Sequence, residues 1–216
     1  MTETQNQRSI VALAGLVRGI RAFSLAAGCA GAVEEHEGNH DAIIGKVVPQ
    51  PWREAVRGLL EPQAEATNHC LQALALADYL AAGERVPNQA KDPRQLQSVF
   101  SNLIADDVQA PATRFWPLQP LALDEGVLFP GPQQADDVDG AYKALWRIEP
   151  SLAALGDAHT PNGHLDSYLK SLQMLMQRYT WCVPAATDLT APDVSLYDHS
   201  RMTSAVATCL LDRSAE

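Results

Sequence analysis

The chain has 216 residues, 46% of them hydrophobic and 6% aromatic, with 16 Lys and Arg against 26 Asp and Glu for a formal charge of -10. That length allows one large domain with a substantial core, and the charge excludes a protein that grips nucleic acid through an overall positive field. Four scattered cysteines, Cys29, Cys70, Cys182 and Cys209, form no Cys-x-x-Cys pair, which argues against a disulfide framework or structural zinc site and fits a reducing, cytoplasmic location.

Met1 to Ser9 is polar without a basic start, and the apolar run from Ile10 is interrupted by Arg18 and Arg21, so neither a signal peptide nor a membrane span is expected. Ile10, Leu13, Ala14, Val17, Ile20 and Leu25 instead predict a first helix over about Gln5 to Ala27, stopped by Gly28-Cys-Ala-Gly31. Arg18 and Arg21 make a local patch able to contact phosphate despite the acidic total. The polar stretch Val33 to Asp41 reads as a loop. Its His36, Glu37 and His40 admit a metal cluster, but a solvated surface is the preferred reading. Pro51 opens a helix through Leu60, and Pro62 opens another that ends at Ala82 before Gly83. On that helix Leu71, Leu74, Asp78 and Ala81 share one face, so Asp78 points where the leucines point.

Arg85 to Asp92 reads as a loop and Gln95 to Ile104 as a helical or extended run. Residues 112–130 predict a small edge hairpin, Arg114 to Leu123 being turned by Asp124-Glu-Gly126 and answered by Val127-Leu-Phe129. Helices follow around Asp136 to Leu155 and His164 to Thr180, with His159 and His164 flanking a Thr-Pro-Asn-Gly turn that needs no function. Trp52, Trp116, Trp146 and Trp181 lack interleaved basic residues and read as packing anchors. Ser195 and Asp198 have capping-box spacing and start a last helix, about 193–212, on which Leu196, His199, Thr203, Val206 and Leu210 form the inward stripe. His199 on that stripe is readable as a core histidine or as a metal ligand. Leu210 and Leu211, with Cys209, extend the stripe to the chain's end and predict a docking face. Phosphate-cradling Gly loops and serine or cysteine nucleophile signatures are absent. The expected fold is one mostly α domain over 1–216 with a small β-hairpin.

Five segments in order carry a resemblance. Leu74-Ala-Leu-Ala-Asp-Tyr-Leu-Ala-Ala-Gly-Glu-Arg85, Ser98-Val-Phe-Ser101, Phe115-Trp-Pro-Leu-Gln-Pro-Leu121 with Phe129-Pro130, Tyr179-Thr-Trp-Cys-Val-Pro184 and Ser195-Leu-Tyr-Asp-His199 resemble the N-terminal part of the large signature subunit of type III CRISPR effector complexes, the Csm/Cmr large subunit. The resemblance implies a permuted HD-domain-like helical bundle and, for the family, a metal-dependent nuclease acting on single-stranded DNA. A histidine-aspartate doublet is needed there because two nearby cations must clamp a phosphate and generate hydroxide.

The matching segment here is Ala14-Gly-Leu-Val-Arg-Gly-Ile-Arg-Ala-Phe23, with Arg18 at the histidine position and Gly19 at the aspartate position. An arginine keeps its proton and offers only donors, so it opposes a cation; glycine offers no ligand. Asp78 matches the family's late aspartate and His199 its permuted histidine, while His40 and His69 are looser matches. These six residues define a vestigial pocket in which Arg18 is expected to pair with Asp78, with no catalytic residue, metal ligand or cofactor assigned.

The preferred reading is therefore a catalytically degenerate scaffold and interaction domain of an antiviral effector. The alternative is a nuclease with an altered ligand set, using a divalent metal such as manganese or nickel. An unrelated helical binding module is a third, minor reading. Implied partners are the other subunits of a CRISPR ribonucleoprotein, including the palm part of the large subunit. Guide and target RNA are reached indirectly, single-stranded DNA belongs to the nuclease alternative, and no membrane is implied. The last helix is expected to lead toward a palm domain that the sequence lacks, as in an excised piece or a subunit split between genes.

Overall fold

The structure, a computed structural model, describes residues 3–28, 38–61, 68–82, 95–102, 113–158, 164–185 and 192–213. In chain order its helices are α1 (Glu3–Ala26), α2 (Gly38–Val47), α3 (Arg53–Leu60), α4 (His69–Ala81), α5 (Glu125–Leu128), α6 (Val138–Leu145), α7 (Glu149–Ala158), α8 (Leu165–Thr180) and α9 (Leu196–Arg213). The fold is mostly α. Among the described residues β structure is limited to isolated bridges.

α1 is the core helix. Val11, Leu13, Ala14, Leu16, Val17, Ile20 and Phe23 are all buried, so apolar residues enclose most of its circumference rather than one stripe. Length and composition over Gln5–Ala26 would suit a membrane crossing, but here those side chains face α3, α4, α8 and α9. The helix stops at Gly28, whose φ of 63° places it in the left-handed region that glycine enters freely, and the Gly28 N–H donates to the Leu25 carbonyl at 3.0 Å.

Part of the expected loop at 33–41 is helical, because α2 begins at Gly38; Ile43, Ile44 and Val47 then turn inward. A 3₁₀ turn at Gln50–Trp52 leads into α3, which buries Val56 and Leu59. α4 starts later than Pro62 suggested. The Asn68 carboxamide oxygen accepts from the N–H groups of Cys70 (2.9 Å) and Leu71 (3.3 Å), which fixes the first turn at His69; residues 62–67 lie outside the described residues.

The helix expected over 136–155 is interrupted by a 3₁₀ turn at Trp146–Ile148. Pro150 supplies the reason: it lacks the N–H that an unbroken α-helix would direct at the Trp146 carbonyl, so a new helix begins instead. Phe23 reaches into this corner, with its ring centroid 5.2 Å from Trp146 and 6.3 Å from Tyr142. The Tyr168 hydroxyl donates to the Val47 carbonyl and ties α8 to α2.

The expected hairpin shrinks to one bridge. Phe115 and Gly131 exchange N–H to carbonyl bonds at 2.8 and 3.0 Å, but the returning arm is mostly α5, because Asp124 caps it by accepting from the Gly126 N–H at 2.9 Å. Around the bridge, Gln95 accepts from the Ala135 N–H and donates to the Trp116 carbonyl. Trp116 and Trp181 stack edge to face at 5.4 Å, consistent with packing anchors.

α9 lies between α1 and α4. The Ser195 hydroxyl accepts from the Asp198 N–H at 3.0 Å and donates to its carboxylate at 2.7 Å, so the cap forms at the expected residues. The apolar stripe expected to dock outward is partly buried within the bundle itself. Leu196 is buried, and Val206, Leu210 and Leu211 pack against the hydrophobic core, leaving Cys209 exposed, because the stripe is what holds α9 to its neighbours.

Candidate functional site

Three chain-distant helices bring Arg18, Asp78 and His199 together. Asp78, on the third turn of α4, offers one carboxylate oxygen to Arg18 Nη2 of α1 and the other to His199 Nε2 of α9, each at 3.1 Å. An ionised carboxylate only accepts, so His199 Nε2 carries the proton in this contact. The other ring nitrogen, Nδ1, is buried without a hydrogen-bond partner, as is the hydroxyl of Thr203 one turn along α9. Side-chain exposure rises from 14% at His199 through 25% at Asp78 to 43% at Arg18, so the triad runs from the core to the surface.

Gly19 sits beside this triad in the α1–α9 contact. A Cβ built there would lie 2.0 Å from Ser200 Oγ, 3.0 Å from Ser200 Cβ and 3.1 Å from Met176 Cε. One turn earlier, a Cβ on Gly15 would meet Ser204 Oγ at 2.8 Å. The Ser204 hydroxyl donates across the seam to the Ala12 carbonyl at 2.8 Å. Glycine at both positions is therefore what lets α9 approach α1. The sequence signal was present but unused: Gly15 and Gly19 on one helix and Ser200 and Ser204 on the other are each spaced by four residues.

Of the looser matches, His69 does not join. His69 is exposed at the start of α4, about two and a half turns from Asp78. His40 lies in α2, with its side chain outside the described residues, and His36 lies outside them altogether. Among the described residues no group of three His, Cys, Asp or Glu side chains is placed to hold a metal ion. The donor set at Asp78 does not suit a pair of divalent cations, since one carboxylate and one imidazole face a fixed guanidinium charge.

On the other side of Arg18, Arg21 faces a cavity shared with α3 and α4. Burial, and then the Arg18 charge, lower the pKa of Arg21 from its ordinary value.

No protein-family model matches the chain. It is 28% identical over 156 residues to the CRISPR system single-strand-specific deoxyribonuclease Cas10/Csm1 (subtype III-A) of Methanocaldococcus jannaschii, a match covering 62% of this chain and 18% of that protein. The chain is homologous to the type III-A large subunit. The fold agrees: superposition on Csm1 of T. onnurineus gives a TM-score of 0.62 at 21% identity, covering 96% of this chain and 28% of that one. Csm1 in the Csm1–Csm4 cassette bound to pppApApA gives 0.61, and in the apo cassette 0.60, at the same identity and coverage. The chain thus spans under a third of the length of these Cas10/Csm1 relatives.

Proposed function

We propose that this chain is the N-terminal HD-like domain of a type III CRISPR effector large subunit, catalytically degenerate and acting as a cytoplasmic scaffold and interaction domain. The observation that carries the reading is the Arg18–Asp78–His199 contact. The two residues matching a corner of the family's metal pocket are tied to each other and to an arginine, while the position that would supply a bridging carboxylate is Gly19, pressed against Ser200. The guanidinium compensates a carboxylate that a metal would otherwise neutralise. Partners on this reading are the remainder of the large subunit and a Csm4-like neighbour, as in the cassette formed by the structural relatives.

The test is cleavage of a single-stranded oligodeoxynucleotide by the purified chain with manganese, nickel or cobalt. Background rates are expected with each metal. Cleavage that disappears in Asp78→Ala or His199→Ala would instead establish the nuclease alternative, which the name of the Methanocaldococcus relative favours.

A further inference from the structure

The cavity between α1, α3 and α4 measures about 160 Å³ and is lined by Arg18, Arg21, Leu59, Leu60, Glu61 and Leu71. Its two cations stand one turn apart on α1 and are not equivalent. Arg18 has one Nη2 contact to Asp78, whereas the Arg21 Nε–H is buried with no hydrogen-bond partner, and no ion pair joins Arg21 to a described carboxylate, Glu61 included. A buried guanidinium donor without an acceptor is costly, and a like charge beside it adds to the cost. An anion with several acceptor oxygens in the cavity would offset the like-charge cost, because the two guanidiniums that line it present donors as planar forks that match phosphate geometry.

We infer that this cavity is a binding site for a phosphate monoester, its phosphate held by Arg21 with Arg18 and its carbon body lying on the leucines. The apolar wall of Leu59, Leu60 and Leu71 has nothing to offer a bare ion, and the cavity has room for more than the phosphate group. Among the described lining residues the exposed Glu61 is the one carboxylate, and it sets the sign of a decisive variant.

Calorimetric titration of the 216-residue chain at low ionic strength with adenosine 5′-monophosphate, inorganic phosphate and adenosine tests it. The nucleotide should bind saturably and more tightly than phosphate, and adenosine should not bind. Arg21→Met should weaken nucleotide binding about tenfold, as loss of a charge-assisted contact does. Glu61→Gln, at an exposed position, should tighten it. Equal affinity for phosphate and nucleotide would overturn the organic body and assign the site to free phosphate. Absence of saturable binding, or wild-type affinity in a folded Arg21→Met chain, would overturn the site itself. So would Glu61→Gln binding no tighter than wild type.

Discussion

Asp78 faces two cationic or donor partners from different helices, and its loss should be felt by both. Asp78→Asn keeps the shape while removing the charge that Arg18 and His199 meet. Because Arg18 is 43% exposed, its ion pair is worth little, and most of the effect comes from the less exposed His199 contact. A loss of roughly 1 kcal/mol is expected in urea unfolding, with no change in the slope against denaturant. A second residue-scale expectation concerns Cys182, whose thiol pKa burial pushes up from near 9 to about 12. A raised folded-state pKa means that the native protein holds a proton which the unfolded chain releases above about pH 9. Stability is then complete below that pH and falls between about pH 9 and 12, by at most about 1.4 kcal/mol per pH unit for this group. Replacing Cys182 with alanine should flatten that alkaline slope in pH-dependent melting, while a neutral-pH cost remains from the vacated volume.

At the scale of elements, the α1–α9 seam depends on two glycines and two serines. Gly19→Ala should destabilise by about 1–3 kcal/mol, since backbone or Ser200 must shift, and that cost exceeds the helix-propensity gain of alanine. Ser200→Gly in the same chain should recover most of the loss, giving a coupling energy in a double-mutant cycle that Ser200→Gly alone does not explain. The seam also changes how a restored metal doublet must be built. Arg18→His with Gly19→Asp would drive a carboxylate into Ser200, so Ser200→Gly has to accompany them. The capped start at Ser195, the Gly28 stop and the inward face of Asp78 were legible because each depends on residues within a turn or two. The helix break at Trp146 was legible in principle from Pro150 but was outweighed by the apolar periodicity around it. The late start of α4 was obscured by a proline that resembles a first-turn residue.

For the whole molecule, the bundle is set by α1 as a helix buried on most sides, with α9 returning from the far end of the chain to close it against α4. That closure made the grouping of Arg18, Asp78 and His199 recoverable only through the family resemblance, since no spacing in the sequence joins three helices so far apart. The tight fit at Gly19 left only the four-residue spacing of Gly15 with Gly19 and of Ser200 with Ser204 as a signal, because the approach of Ser200 to Gly19 exists only after folding. Because Leu210 and Leu211 pack partly buried against the core, Leu210→Asp with Leu211→Asp should lower the melting temperature of the isolated chain, which differential scanning would record. On the proposed reading, a guanidinium and a close helix contact stand where the family's two-cation site would be. Manganese titration of the metal-free chain, followed by calorimetry, tests it most directly: no stoichiometric binding at Asp78 and His199 is predicted, and one or two equivalents bound in the wild type but lost in Asp78→Ala would contradict it.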